Sequence, residues 1–250
     1  MKKTLFTLCV DGYAPEITDL TFPLMRRYAD KIGADFHVIS ERKFPDFPPV
    51  YEKLQIHDLG REMGNDWNIY VDADALIHPD MFDFTEHLSK DTVLHNGSDP
   101  ASIRWKFDEY FRRDGRNIGS CNWFTAASDW CLDLWRRPEE PLDDLVQNIS
   151  CIRQELDSGV MDASHLIDDY ILSRNIARFG LKFSTMKQLL EKMNERSATS
   201  GGPKMNVDAS FFHHEFMVTN DVKAQNLLKV LEAWKLLDLT KPALEFVPLG

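Results

Sequence analysis

The sequence is poor in cysteine and in basic charge, and each shortage excludes a class of protein. The 250-residue chain has four cysteines, and none stands in a Cys-x-x-Cys pair or at a spacing from histidine typical of a zinc site. Such cysteines are expected as buried thiols in a reducing compartment. Lysine and arginine number 29 against 40 acidic residues, which gives a net charge of −11. This balance, without a basic stripe, argues against a nucleic-acid-binding protein.

Long apolar runs and glycine-rich loops are also missing. No stretch approaches the ~20 apolar residues that a membrane-spanning helix requires. The apolar run at residues 4–10 is too short for a signal peptide and is broken at once by Asp11 and Gly12, so we expect it to be the first strand. These features favour a cytoplasmic protein with at most peripheral membrane contact. A nucleotidyltransferase would need a glycine-rich phosphate loop near this strand, and none is present.

The remaining composition is typical of a globular α/β protein. Hydrophobic residues make up 43% and charged residues 28% of the chain, an ordinary balance for a folded domain. Residues 4–10 and 35–40 are expected strands, whereas residues 17–32 and 51–63 carry apolar side chains at helical spacing. This alternation predicts an α/β fold with a central mixed, mostly parallel sheet flanked by helices. No internal repeat or linker divides the chain, so we expect a single domain over residues 1–250.

Later segments complete this prediction, and we expect five further helices, three further strands and one loop. The expected helices cover residues 101–113, 128–136, 141–156 and 161–179, the expected strands cover residues 92–95, 123–127 and 207–212, and a last helix covers residues 220–236. Residues 197–205, with two adjacent glycines, are expected to form a mobile loop.

A pair of aspartates after a buried strand is the main chemical motif. Residues 67–71 are apolar and rich in β-branched and aromatic side chains, which predicts a buried strand. Asp72 and Asp74, separated by the small Ala73, follow it directly. Ligands bind at the carboxyl ends of strands in an open α/β sheet, and two carboxylates there can converge on one divalent cation. The motif therefore predicts a cation site for a nucleoside diphosphate.

This arrangement resembles the nucleotide-sugar-dependent glycosyltransferases of the GT-A fold. The resemblance rests on the buried strand, the Asp-x-Asp motif, a second apolar run at residues 75–77 and a preceding helix that carries Lys53. It implies a Rossmann-like domain, Mn²⁺ or Mg²⁺ as cofactor, and a nucleotide-sugar donor of the UDP-sugar type. The implied activity is transfer of a hexose to a hydroxyl group of a glycan or other acceptor.

The resemblance also implies contacts to the donor. In the family, the loop after the first strand binds the nucleoside of the donor. A basic residue before the Asp-x-Asp motif contacts the donor phosphates, and an asparagine contacts the donor sugar. Trp123 and Phe124 stand where the family usually has small residues after this asparagine. The expected donor-binding residues are Cys9, Asp11, Tyr13, Lys53, Asp72, Ala73, Asp74 and Asn122. Ordinary loop packing of Tyr13 and a solvated surface position of Lys53 are the alternatives.

The expected catalytic residues are Asp168 and Asp169, near the start of the helix over residues 161–179. Carboxylates in a first turn are also favoured by the helix dipole. The resemblance implies that one of them binds sugar hydroxyls or, in an inverting enzyme, removes the acceptor proton. It further implies a histidine after a late strand as the third metal ligand. We expect His213 in this role with His214 as its alternative, because adjacent strand residues face opposite sides.

Two other classes of function remain open at this stage. The chain could be another nucleotide-handling enzyme, namely a nucleotidyltransferase or a metal-dependent phosphohydrolase. The latter would need more carboxylate or histidine ligands than the motif offers. A non-catalytic binding domain that keeps only the fold is the other alternative, against which the intact Asp72, Asp74 and late histidine argue.

Overall fold

The computed structural model describes residues 1–95, 123–149, 167–200, 211–214, 218–237 and 246. The described strands are β1 (Lys3–Leu8), β2 (Asp35–Ile39), β3 (Trp67–Val71), β4 (Ala75–Ile77), β5 (Thr92–His95), β6 (Phe124–Ser128), β7 (Lys182–Thr185) and β8 (Phe212–His214). The described α-helices are α1 (Pro15–Ile32), α2 (Ile56–Met63), α3 (Leu142–Ile149), α4 (Ile167–Arg178), α5 (Met186–Ser200) and α6 (Asn220–Ala233). Shorter 3-10 helices cover Pro49–Gln55, Phe84–Glu86 and Asp129–Trp135.

A central sheet has the strand order β2-β1-β3-β6-β5-β7. Its strands are parallel except for β6, which runs antiparallel to β3 and to β5. The mixed, mostly parallel sheet predicted from the sequence is therefore confirmed. The carboxyl ends of β1 and β3 lie at the same edge as the amino end of β6, where the backbone N–H of Asp72 donates to the carbonyl of Trp123 at 2.8 Å.

Helices cover both faces of this sheet because its strands are apolar on both sides. In β3, Tyr70 belongs to one apolar core, which also receives α2 and α4, while its neighbour Ile69 belongs to the core beneath α1 and α5. This alternation follows from the two-residue period of a strand. A third apolar cluster joins α6 to α1 and β4 through Leu227 and Leu231.

Helix α1 follows the prediction closely. Its apolar residues recur at helical spacing, and the helix continues through Pro23 to Ile32. It ends at Gly33, whose φ of 65° is left-handed and is adopted by glycine at low cost. Within the described residues, no helix combines the length and the apolar character needed to cross a membrane.

Several element boundaries differ from the prediction. The helix expected over residues 51–63 is divided into the 3-10 helix Pro49–Gln55 and α2, and residues 129–135 form a 3-10 helix rather than an α-helix. Helix α5 was not expected, and it extends to Ser200 into the predicted loop. The helix expected over residues 101–113 lies outside the described residues.

Strand β8 extends further than expected, and residues 207–210 of the expected strand lie outside the described residues. It covers Phe212–His214 and pairs antiparallel with β4, in the register Ala75 to His214 and Ile77 to Phe212. Both histidines are therefore strand residues, whereas the sequence predicted that the strand would end before them.

Candidate metal and ligand site

Two aspartates and a histidine converge at the carboxyl edge of β3. Asp72 follows β3, Asp74 precedes β4, and the pairing of β8 with β4 brings His214 beside them. One ligand atom from each of these three residues lies within 4.8 Å of the others. The His214 Nε2 atom is 3.1 Å from Asp74 Oδ1 and 4.0 Å from Asp72 Oδ2. Carboxylate oxygens with an imidazole nitrogen suit a divalent cation, so this group fits the expected metal.

The histidine of this group is His214 and not the predicted His213. Because β8 extends two residues beyond the expected strand end, His213 pairs with Leu76 and His214 with Ala75. Adjacent strand residues face opposite sides, so the placement of His214 at the aspartates turns His213 away. The structure therefore places His214, the alternative given by the sequence, beside the two aspartates.

Trp123 holds the His214 ring in place. The two rings are stacked, with centroids 5.2 Å apart and an interplanar angle of 7°. The indole thus fills the space where small residues were expected from the resemblance, and it fixes the imidazole plane. The predicted sugar contact Asn122 lies outside the described residues.

Asp74 is the most fully engaged carboxylate of the site. Its Oδ1 atom faces His214, while Oδ2 accepts a hydrogen bond from Tyr13 at 3.4 Å and a short one from Lys223 Nζ. Burial opposes the charge on Asp74, but His214 and Lys223 outweigh it and hold the pKa of Asp74 below its usual value. Burial and the charges of Asp74 and Asp72 raise the pKa of Tyr13, so its hydroxyl remains a donor. Tyr13 therefore contacts Asp74 in addition to any packing within its own loop.

Lys223 was missed by the sequence analysis. It lies in the first turn of α6, 149 residues from Asp74 along the chain, and is buried. No local motif distinguishes it from the other lysines of an amphipathic helix. Only the packing of α6 against α1 and β4 brings its ammonium group to the aspartate.

Lys53 connects the aspartate pair to the predicted catalytic helix. Its Nζ atom is 3.3 Å from Asp72 Oδ1 and 2.5 Å from Asp168 Oδ2, and the residue is 1% exposed. A solvated surface position is therefore excluded. Burial disfavours the ammonium form, but the charges of Asp168 and Asp72 outweigh it and raise the pKa of Lys53. Tyr70 adds a hydrogen bond of 2.5 Å to Asp72.

The two aspartates of the motif have different electrostatic environments. Burial raises the pKa of Asp72, Lys53 lowers it, and the charge of Asp74 raises it further, with a net upward shift. The pKa of Asp74 is shifted downward. Opposite shifts are expected when two carboxylates share one site and cannot both be fully ionised without a cation. The small Ala73 between them is buried, and its carbonyl accepts from Thr21 of α1 at 2.5 Å.

Asp168 and Asp169 occupy the first turn of α4, and both are buried. Asp168 reaches the site through its ion pair with Lys53. Asp169 is its neighbour on the same helix turn. Asp168 therefore lies near the aspartate pair, and the catalytic role of Asp168 and Asp169 stays a prediction.

A pocket of about 570 Å³ lies beside the aspartates. Its size falls in the range of small-molecule sites, roughly 300–1,000 Å³. Its lining combines Tyr13, Ala73, Asp72, Asp74 and Lys223 with a mainly apolar wall. That wall comprises Leu8, Val10, Pro48, Pro49, Val50 and Tyr70, with Val218 and Asn220 before and at the start of α6.

The predicted nucleoside loop contributes only in part to this pocket. Tyr13 is one of the described residues that line it, whereas Cys9 and Asp11 are not. Asp11 has a φ of 56° and accepts from Arg42 Nη1 at 2.7 Å. The Nε atom of Arg42 also donates to the buried Glu52 at 3.0 Å, so Arg42 connects the loop after β1 to the 3-10 helix Pro49–Gln55. Arg42 and Glu52 were not identified from the sequence.

Comparison with known proteins bears on the fold. No protein-family model and no curated protein matches the sequence. A glycosyltransferase involved in the glycosylation of the major capsid of PBCV-1 superposes with a TM-score of 0.49 at 8% identity, over 92% of this chain and 100% of that chain. The galactosyltransferase LgtC, crystallised with donor and acceptor sugar analogues, superposes with a TM-score of 0.50 at 13% identity, over 98% of this chain and 97% of that one. The chain therefore shares the fold of LgtC, and the GT-A fold that the sequence implied is confirmed.

Proposed function

We propose that the protein, as one catalytic domain over residues 1–250, is a metal-dependent glycosyltransferase. Its donor would be a nucleoside diphosphate sugar of the UDP-sugar type, and its acceptor a hydroxyl group of a glycan. The observation that carries the proposal is the convergence of Asp72, Asp74 and His214 at the wall of a ligand-sized pocket. The shared fold with LgtC, a galactosyltransferase, supports the reaction class.

The pocket offers suitable surfaces for both parts of such a donor. The apolar wall around Val10, Pro49 and Val50 suits a nucleoside, and the charged residues suit a diphosphate. A divalent cation held by Asp72, Asp74 and His214 would neutralise charge on the departing nucleoside diphosphate. Lys223 lines the same pocket and supplies a further positive charge beside it.

We assign Asp168 and Asp169 to the donor sugar rather than to the acceptor. Both carboxylates are buried, and neither is among the described residues that line the pocket. The acceptor would enter from the open side of the cleft. A residue that acts as its base has to lie there, within hydrogen-bond distance of the acceptor hydroxyl group. The contacts of Lys53 with Asp72 and with Asp168 place Asp168 next to the proposed metal site, where the sugar of the donor would lie. This assignment predicts a product with retained anomeric configuration, which NMR of the product identifies.

The proposal is tested by binding of nucleotide sugars with and without Mn²⁺ or Mg²⁺. Replacement Asp74→Asn keeps the shape of the side chain but removes the charge that a cation requires. We expect metal-dependent binding of the nucleotide sugar, measured by calorimetry, to weaken by about 100-fold or more, since even changes around metal ligands cost about 10–100-fold. Release of nucleoside diphosphate in a transfer assay should fall in parallel.

Asp80→Asn is the matched control, because Asp80 is an exposed aspartate a few residues after the motif. It should bind the donor as the wild type does. If Asp74→Asn kept wild-type affinity with unchanged metal dependence, or if the wild type bound no nucleotide sugar with either metal, the proposed function would be refuted.

A further inference from the structure

Both oxygens of Asp74 already have partners within the chain. Oδ1 lies 3.1 Å from His214 Nε2, and Oδ2 accepts from Tyr13 and from the ammonium group of Lys223. Of these partners, Lys223 is the one that bears an ammonium group. The Lys223 ammonium therefore neutralises the carboxylate that the proposed metal site requires.

We infer that Lys223 competes with the divalent cation for Asp74, so that the cation binds only when this ammonium group leaves the carboxylate. The inference rests on the metal site of the proposed function. An ammonium group and a dication in contact with one carboxylate repel each other, and the repulsion is weakly screened because Asp74 and Lys223 are both buried. Occupation of Oδ2 by two donors also leaves little room for a metal at that oxygen.

The side chain of Lys223 has a place to which it can move. Lys223 lines the pocket beside Asp74, and its charge lies at the end of a flexible four-carbon chain. The helix itself is held by Leu227 and Leu231, which are buried against α1 and β4. The exchange therefore requires a rotamer change of one side chain and no movement of α6.

Lys53 does not compete in the same way. It contacts Asp72 at 3.3 Å, but its shorter contact, 2.5 Å, is to Asp168. Asp168 can therefore retain the Lys53 ammonium when a cation binds Asp72. Lys223 has no second carboxylate contact of this kind among the described ion pairs. The ammonium group of Lys53 would therefore stay in place when a metal ion binds, whereas that of Lys223 would leave Asp74.

This inference is tested with Mn²⁺ alone, without nucleotide, titrated into the full chain by electron paramagnetic resonance or calorimetry. Lys223→Met removes the charge at similar length, and Lys223→Gln removes it but keeps a hydrogen-bond donor. We expect both variants to bind Mn²⁺ at least about tenfold more tightly than the wild type, which corresponds to ~1.4 kcal/mol. Equal or weaker binding by both variants overturns the inference.

Lys229→Met is the matched control, since Lys229 is an exposed lysine two turns further along α6. It should leave Mn²⁺ affinity unchanged. The double variant Asp74→Asn/Lys223→Met should lose the tighter binding, and its persistence without Asp74 overturns the inference. Because no nucleotide takes part, a failed transfer assay refutes the proposed function without deciding this result.

Lys223→Met and Lys223→Gln both remove the ion-pair partner of the buried Asp74 carboxylate. We therefore expect both variants to be less stable than the wild type without metal. The unfolding temperature of each variant is therefore measured with and without Mn²⁺. We expect Mn²⁺ to raise the unfolding temperature of Lys223→Gln more than that of the wild type, because metal binding to the native state stabilises it. An equal or smaller rise overturns the inference.

Discussion

Charges of alternating sign connect the side chains of the candidate site. Lys53 stands between Asp72 and Asp168, and Lys223 contacts Asp74. Each buried ammonium group offsets the cost of burying a carboxylate, and removal of one partner leaves the other uncompensated. Substitutions at these five residues therefore affect folding as well as binding. Isosteric changes such as aspartate to asparagine separate the two effects best.

His95 allows a test of pH dependence away from the metal site. It is the last residue of β5 and fully buried, and within the part of the chain that the structure describes neither ring nitrogen has a hydrogen-bond partner. Burial lowers the pKa of His95 to about 4. An unfolded histidine titrates near pH 6.5, so the unfolded state binds more protons between these values. The stability contributed by neutral His95 is complete above about pH 6.5 and is lost as the pH falls towards 4.

We predict that His95→Phe removes this dependence. The pKa difference corresponds to about 3 kcal/mol, so the wild type should lose about this much more free energy of unfolding than the variant between pH 7 and pH 4. The measurement is urea unfolding at several pH values. The exposed His87, changed to Gln, is the control and should follow the wild type. Parallel pH profiles for wild type and His95→Phe would contradict the assigned cause.

At the scale of elements, α2 approaches β3 and the 3-10 helix Asp129–Trp135 without a side chain at Gly60. A Cβ atom there would lie 2.5 Å from Asn68 Oδ1 and 3.0 Å from a methyl carbon of Leu132. Alanine usually stabilises a helix interior by up to about 1 kcal/mol relative to glycine. Overpacking of a close contact costs about 1–3 kcal/mol, so the steric cost should prevail here.

We therefore predict that Gly60→Ala lowers the free energy of unfolding by about 1–2 kcal/mol, as measured by urea denaturation. The control on the same helix is Glu62→Ala, an exposed position that should change stability by less than about 0.5 kcal/mol. A stabilised Gly60→Ala protein would mean that α2 can move away from β3 at little cost.

Local sequence patterns predicted the elements near the site but not their register. The apolar run at Trp67–Val71 and the periodicity of α1 depend on neighbouring residues, so they were predicted correctly. The register of β8 depends on pairing with β4, which is distant in sequence, and the prediction placed the strand end two residues too early. With the strand end at Phe212, His213 was the expected ligand and His214 its alternative, whereas the observed register places His214 beside the aspartates.

The long-range ion pairs could not be predicted for the same physical reason. Lys53 and Asp168 are 115 residues apart, and Asp74 and Lys223 are 149 residues apart. The resemblance to GT-A enzymes indicated that Lys53 and Asp168 belong to one site. It contained no motif for Lys223, because the position of that residue depends on how α6 packs.

At the scale of the whole molecule, the site is complete only when distant parts of the chain pack together. Asp72 and Asp74 belong to the first third of the sequence, whereas His214 and Lys223 come from β8 and α6. Leu227 and Leu231 hold α6 against Leu20 of α1 and against β4. The apolar contact of α6 with α1 therefore contributes both to global stability and to the position of Lys223.

Leu227→Ala tests this connection, because Leu227 is 0% exposed and lies one helical turn beyond Lys223. Truncation of a buried leucine costs about 2–5 kcal/mol, and we expect a loss of free energy of unfolding in this range by urea denaturation. The control is Val222→Ala on the same helix, where the valine is 42% exposed and the change should cost less than about 0.5 kcal/mol. If α6 unfolded separately from the sheet, the main urea transition of Leu227→Ala would match that of the wild type. A single shifted transition instead shows that the helix carrying Lys223 folds cooperatively with the strands that carry the aspartates.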